Sequence, residues 1–244
     1  MQTPWFRRGN SAQGGSDMGH IRPAASHNCS MSSADEGPDD RLPQSLLDAI
    51  APHGLTRSFP AHAILINEGD TTDSLYIVLS GRVKVYASSD DGRELVLTEY
   101  GPGGYFGELS IDGERRSASI KAIEPCTCRV VQGSQLRQFL ADNPDFAFHL
   151  TRKLIRMVRR LTEQVRSIAL QDVYGRMVRV LTELSEPVGD ERVLRHKLTQ
   201  KDIADRVGSS REMVNRVMKE LTTGGYVSLR DGRHVIRRKL PAAW

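Results

Sequence analysis

Cysteine is scarce in this chain: 244 residues carry only three. Cys29, Cys126 and Cys128 are odd in number and show no CxxC spacing, which argues against a disulfide framework and against a four-cysteine zinc or iron–sulfur site built by one chain. The thiols are therefore expected to be structural. The seven histidines are scattered, so no metal site is expected and neither residue type offers a defensible axial haem ligand. Long apolar runs are missing as well; every hydrophobic stretch is short and interrupted by charge, and residues 1–20 lack the apolar core of a signal peptide. A cytoplasmic protein that does not enter the membrane is predicted. There is no Walker-type loop, no Ser/His/Asp constellation in a credible context and no cluster of metal ligands, so no catalytic residue is assigned and no enzyme is expected. A cyclic-nucleotide-processing enzyme is the remote alternative.

What is present is unevenly distributed. Residues 1–170 hold 19 Lys and Arg against 20 Asp and Glu, whereas residues 171–244 hold 15 against 10, so the net charge of +4 comes from the C-terminal third. A basic module joined to a near-neutral one points to a polyanion partner for the former.

Residues 1–40 are rich in Ser, Gly, Asp and Asn without apolar periodicity and are expected to be disordered. Met18 and Met31 lie in this tail and are candidates for a later true start. From Leu55 to Val131, short apolar runs (AILI, SLYIVLS, RVKVYAS, ELVLTEY, SASIKAI, CRVV) alternate with Gly and Asp corners such as Asp90-Asp91-Gly92. That pattern predicts an antiparallel β-roll over 41–143. Asn143-Pro144 then opens a helix that meets no breaker until about Asp172. Along it Leu154, Val158, Leu161, Val165 and Ile168 are spaced 4, 3, 4 and 3, with Val at the a-type and Leu or Ile at the d-type positions. Such a seam favours a parallel two-stranded coiled coil, hence a homodimer through 144–172. The alternative is one face of an intramolecular helix; the narrow seam between Arg152, Lys153, Arg156, Arg159 and Arg160 favours the dimer.

The most specific signal lies in 173–244. After an amphipathic helix over 173–185 and a break at Glu186-Pro187-Val188-Gly189, Thr199 caps a helix that places Ile203, Ala204 and Val207 on one face. Gly208-Ser209 makes the turn. Ser210 caps a second helix with Val214, Val217, Met218 and Leu221 inward and Arg211, Glu212, Asn215, Arg216 and Lys219 outward. A basic hairpin around Asp231-Gly232 completes a winged helix-turn-helix. The outward side chains suit a major groove: arginine can donate twice to guanine and glutamate can accept from the cytosine amino group.

Ser210-Arg211-Glu212-Met213-Val214-Asn215-Arg216 resembles the DNA-reading helix of the catabolite activator and fumarate–nitrate regulator superfamily. The likeness extends over roughly residues 42–240 and implies an α+β architecture: a cyclic-nucleotide-binding β-roll, a long dimerisation helix and a winged helix-turn-helix. It implies binding of a TGTGA-type palindrome in double-stranded DNA by Ser210, Arg211, Glu212, Asn215 and Arg216. Thr199, Gln200 and Arg233 would hold phosphates, and RNA polymerase is the implied partner.

The second matching signature is Gly107-Glu108-Leu109-Ser110 followed by Arg116-Ser117-Ala118, which looks like a cyclic-nucleotide phosphate-binding cassette. Backbone amides, a hydroxyl and a guanidinium can surround a phosphodiester, and a carboxylate can accept a ribose hydroxyl. By resemblance Glu108 takes the ribose, Arg116 and Ser117 the phosphate, and Gly107 and Leu109 shape the loop. Arg116 could instead pair with Glu108. Two departures matter. The Glu108-to-Arg116 interval is shorter than in the catabolite activator, and only Thr162 matches the family's Thr-Ser adenine pair. Cyclic AMP and, because of the arginines at 152, 156, 159 and 160, cyclic di-GMP are both candidate effectors; no prosthetic group is expected, since the N-terminal cysteines of cluster-bearing members are absent. A ligand-independent DNA-binding regulator with a vestigial pocket is the alternative.

Overall fold

A computed structural model describes residues 40–241. The expectations for the tail, including the two candidate start methionines, fall on residues outside this range, with one exception taken up below. A short helix α1 (Gln44–Ile50) and a 3-10 turn lead into β1 (Gly54–Phe59), β2 (Ile64–Ile66), β3 (Leu75–Ser80), β4 (Val83–Ser88), β5 (Glu94–Tyr100), β6 (Tyr105–Phe106), β7 (Ser119–Ala122) and β8 (Cys126–Val131). These form two four-stranded antiparallel sheets, β1-β8-β3-β6 and β2-β7-β4-β5. Alternation along the strands turns Val78, Val83, Ile120, Phe106 and Cys128 into the layer between them. Burial pushes the Cys128 thiol up to about 12, in keeping with an inert structural role.

Helices α2 (Gly133–Asp142) and α3 (Pro144–Leu170) follow. Proline at the first turn of α3 and Asp145 beside it fit a helix start. Tyr105, Phe139 and Phe146 pack at tilted and edge-on angles where α2 and α3 meet the first sheet, in a core shared with Leu75, Ile77 and Leu136. The opposite face of α3 is open: Val158 and Val165 are 63% and 66% exposed, with Ile155, Leu161 and Ile168 beside them. Unpaired β-branched residues at these positions are what a coiled-coil seam leaves exposed in one chain. This α3 is among the described helices, none of which is long and apolar enough to cross a membrane.

The C-terminal module comprises α4 (Val173–Glu183), β9 (Ser185–Val188), β10 (Glu191–Leu194), α5 (Gln200–Val207), α6 (Arg211–Thr223), β11 (Val227–Arg230) and β12 (Arg233–Ile236). Its sheet runs β11-β12-β10-β9, so the wing is four-stranded rather than a single hairpin. The β9–β10 hairpin is hidden in the sequence by Pro187, which is tolerated because β9 is an edge strand. Positive φ at both Asp231 and Gly232 gives the tight turn between β11 and β12. Thr199 caps α5 in a reciprocal box with Asp202, and Gly208 closes it in the left-handed region. Thr199→Ala should lower stability by about 1 kcal/mol, read as a shift in the denaturant midpoint.

The β-roll and the C-terminal module touch through β5. Glu99 pairs with Arg206, and Leu95 packs beside Gly208. Lys84 lies 2.6 Å from Glu94 and 3.8 Å from Asp205, which also binds Lys201 at 3.0 Å. Gln164 of α3 donates to the Leu97 carbonyl at 3.0 Å.

Candidate ligand and DNA sites

The cassette is built on a left-handed glycine. Gly107 has φ +89°, ends β6 and opens a 3-10 turn over Glu108–Asp112, closed by Gly113 at φ +89°. A Cβ at Gly107 would lie 2.6 Å from the Ser74 carbonyl oxygen and 2.8 Å from Arg116 Nη1. Glycine is required here both for φ and for this approach.

Arg116 is buried and its guanidinium ties three segments together. Nη1 donates to the Gly107 carbonyl at 2.8 Å, Nη2 to the Ser74 carbonyl at 2.8 Å and Nε to Thr72 Oγ1 at 3.1 Å. It does not pair with Glu108. Ser117 is exposed beside it, and Leu109 is exposed on the turn, whereas Ser110 is buried and donates to the Gly107 carbonyl.

Glu108 is paired instead with a residue that no motif singled out. Lys153 of α3 is wholly buried and holds Glu108 Oε1 at 3.0 Å. Its ammonium also donates to the Tyr105 carbonyl and lies 3.7 Å and 4.6 Å from the ring centres of Tyr105 and Tyr100. Glu108 Oε2 is buried with no hydrogen-bond partner among the described residues. The only signal for Lys153 in the sequence is its helical phase: it falls in line with Phe146, Arg160 and Gln164, about 100° round the helix from the apolar seam.

Asp40, placed by the sequence in the disordered tail, is buried and clamped by Arg156 Nε at 2.6 Å and Arg160 Nη1 at 2.8 Å. Two of the four arginines offered for a highly charged ligand are thus committed within the chain, and Arg152 lies over the Phe148 ring at 4.4 Å. Thr162 is exposed near the seam and donates to the Val158 carbonyl of its own helix; the chain does not bring it to its own cassette. A cleft of about 510 Å³ opens between α1 and β3, and none of the expected ligand residues lines it.

His149 sits beside this cluster. Its Nε2 donates to the Arg41 carbonyl at 3.1 Å and Nδ1 accepts from the Tyr105 hydroxyl at 3.2 Å, so the neutral ring is satisfied. Burial lowers its pKa, and burial does the same to His234 in the wing. For a histidine whose folded pKa is depressed, the unfolded chain takes the proton first. The contribution of both residues is therefore complete above about pH 6.5 and is lost as pH falls below it. Thermal melts from about pH 7 to pH 5 should show falling stability, less steeply in a His149→Gln variant.

In the C-terminal module, Ser210 accepts from the Met213 amide as the N-cap of α6, and Arg211, Glu212, Asn215, Arg216 and Lys219 stand exposed along one side. Val214, Val217, Met218 and Leu221 pack inward, in agreement with their spacing. Arg233 is exposed at the start of β12. The Thr199 hydroxyl is engaged within the fold, donating to Asp202 at 2.7 Å and accepting from the Asp202 amide. A phosphate at this helix start would meet the first-turn amides of Gln200 and Lys201 before that hydroxyl.

Two family models match the chain. Residues 56–143 match the cyclic nucleotide-binding domain and residues 175–242 the Crp-like helix-turn-helix domain. The chain is 34% identical over 174 residues to the cAMP-activated global transcriptional regulator CRP of Pasteurella multocida, covering 69% of this chain and 83% of that one. It is 37% identical over 183 residues to a CRP-like cAMP-activated global transcriptional regulator of Mycobacterium tuberculosis, covering 73% and 81%. Among solved structures, the c-di-GMP responsive global regulator CLP of Xanthomonas campestris superimposes with a TM-score of 0.74 at 26% identity, over 81% of this chain and all of that one. These relatives are named as transcriptional regulators, and DNA binding and dimerisation go with the shared domains. With its cyclic nucleotide-binding β-roll, long helix and winged helix-turn-helix, the chain belongs to the Crp/Fnr family of transcriptional regulators.

Proposed function

We propose that the chain is a homodimeric regulator that binds a TGTGA-type palindrome with Arg211, Glu212 and Arg216, and whose DNA affinity is set by a cyclic nucleotide at the Gly107–Ser117 cassette. The carrying observation is the Glu108 carboxylate: it is buried beside the Gly107 turn with one oxygen unpartnered, where a ligand hydroxyl can donate. Cyclic AMP is the first effector to try. It needs one anionic contact, whereas a dinucleotide with two phosphates would have to compete with Asp40 for Arg156 and Arg160. Gly107 and Leu109 set the loop, Ser117 offers its exposed hydroxyl to the phosphate, and Thr162 reaches across the seam to the partner's ligand. Contact with RNA polymerase completes the reading.

The second reading, a regulator indifferent to nucleotides, is favoured by Arg116, each of whose three nitrogens already donates to a protein oxygen. Fluorescence anisotropy on a TGTGA-N6-TCACA duplex at fixed salt, with no nucleotide and with cyclic AMP, cyclic GMP or cyclic di-GMP, separates the two. A gain of about 5–150-fold with one nucleotide supports the first. Equal, specific binding in all four conditions supports the second.

A further inference from the structure

A lysine with no exposed surface is uncommon, and stripping an ammonium of water is unfavourable by several kcal/mol unless compensated. At Lys153 the compensation is unusually complete: a carboxylate, a carbonyl and two aromatic faces. Those four partners come from β5, β6 and the 3-10 turn, whereas the lysine belongs to α3. Glu108 is the pivotal one, since one of its oxygens holds Lys153 and the other is buried and unpartnered. The nearby acid Asp40 is already held by two arginines.

We propose that Lys153 is the positioning residue through which the cassette acts on the dimerisation helix. A donor that reaches Glu108 Oε2, the hydroxyl of a nucleotide ribose on the reading above, draws the carboxylate towards itself and weakens or re-aims its bond to Lys153. Lys153 has no exposed surface and its ammonium lies against the rings of Tyr100 and Tyr105, so a shift of that ammonium is passed to the helix that carries it. Lys153 and the exposed Val158 and Val165 lie on different faces of one helix, about 120–140° apart around its axis, the first and last separated by ~18 Å along it. A small displacement at one face therefore becomes a change in how the other meets its partner, and α4 and the DNA-binding module follow α3 directly.

The test uses the full chain with Lys153→Met, which keeps the stem and removes the charge, with Glu108→Gln, and with both. Removing one charge of a buried pair strands the other, whereas the double variant leaves neither, so it serves if either single variant fails to fold. The ligand arm rests on the cyclic-nucleotide reading and uses cyclic AMP. Lys153→Met should bind it calorimetrically within about tenfold of wild type, a change of about 1.4 kcal/mol. The accompanying gain in DNA affinity should fall from at least about fivefold to less than about twofold. A wild-type gain in Lys153→Met overturns the proposal and leaves a merely structural pair.

The ligand-free arm needs no effector. Glu108→Gln should change DNA affinity in the wild-type background and alter it by less than about twofold once Lys153 is methionine, because the route is already cut. Additive effects overturn the proposal. If the double variant alone folds, its gain with cyclic AMP is compared with wild type, and an undiminished gain overturns the proposal. Should wild type bind no nucleotide, the effector reading fails by itself while the ligand-free arm still decides the role of Lys153.

Discussion

The Arg211→Ala/Arg216→Ala double variant is expected to lose selection for a TGTGA-type half-site, with specific affinity falling about 30-fold at the least and non-specific affinity far less. Each bidentate arginine–guanine contact is worth about 1–3 kcal/mol, so two lost contacts amount to about 2–6 kcal/mol. Both side chains are exposed on α6, and Arg216 touches the Met213 sulfur at the edge of the core. The melting temperature should therefore hold, which separates lost recognition from lost fold. Arg233→Ala supplies the contrast. If that residue holds phosphate, affinity falls alike for cognate and random duplex and the slope of log K against log salt drops by about 1. Retained selectivity in the double variant would refute the assignment of base reading to α6.

Gly107→Ala is the second large effect, and it strikes the cassette. Alanine at φ +89° carries backbone strain of about 1–3 kcal/mol, and its methyl would meet a fixed carbonyl oxygen at 2.6 Å. Relief requires that the turn or β3 shift, at a further cost of about 1–3 kcal/mol. The expected loss is about 2–6 kcal/mol in denaturant unfolding of the β-roll, with nucleotide binding abolished because the displaced turn carries Glu108. Gly92→Ala is a suitable control: its φ is also positive, at +78°, yet a Cβ there meets nothing within 4 Å. A Gly107→Ala variant no less stable than Gly92→Ala would contradict the packing described.

The strands β2 to β5, β7 and β8 were legible because alternation and Gly-Asp corners state period and ends together. The winged module was legible because caps, turn and inward face agree residue by residue. Several elements escaped, α1, β1, β6 and β10 among them, and for two others the reason is definable. β9 carries Pro187, which reads as a breaker unless its edge position is known. α2 shows only Leu136, Phe139 and Leu140 as a periodic face, too short a run beside Gly133 to declare a helix. In the site, sequence motifs named the corner that carries Glu108 and Arg116 but not their partners within the protein. Arg116 donates to the Ser74 carbonyl 42 residues away and Glu108 binds Lys153 45 residues away, pairings that no local pattern encodes. Asp40 shows the converse, a residue in polar low-complexity surroundings buried by two arginines 116 and 120 positions away.

The contact between β5 and α5 bears on how the protein's affinity for DNA should depend on ions. A count of lysines and arginines in the basic third predicts many released counterions, but Arg206 already faces Glu99, and Lys201 faces Asp205. Cations matched in this way neutralise few phosphates, and so release few of the counterions condensed on the duplex, unless their acidic partners let go first. The salt slope should thus report the exposed arginines of α6 and the wing. Any steepening of that slope when effector is added would register the opening of the β5 contact, making a titration with potassium chloride a gauge of domain separation.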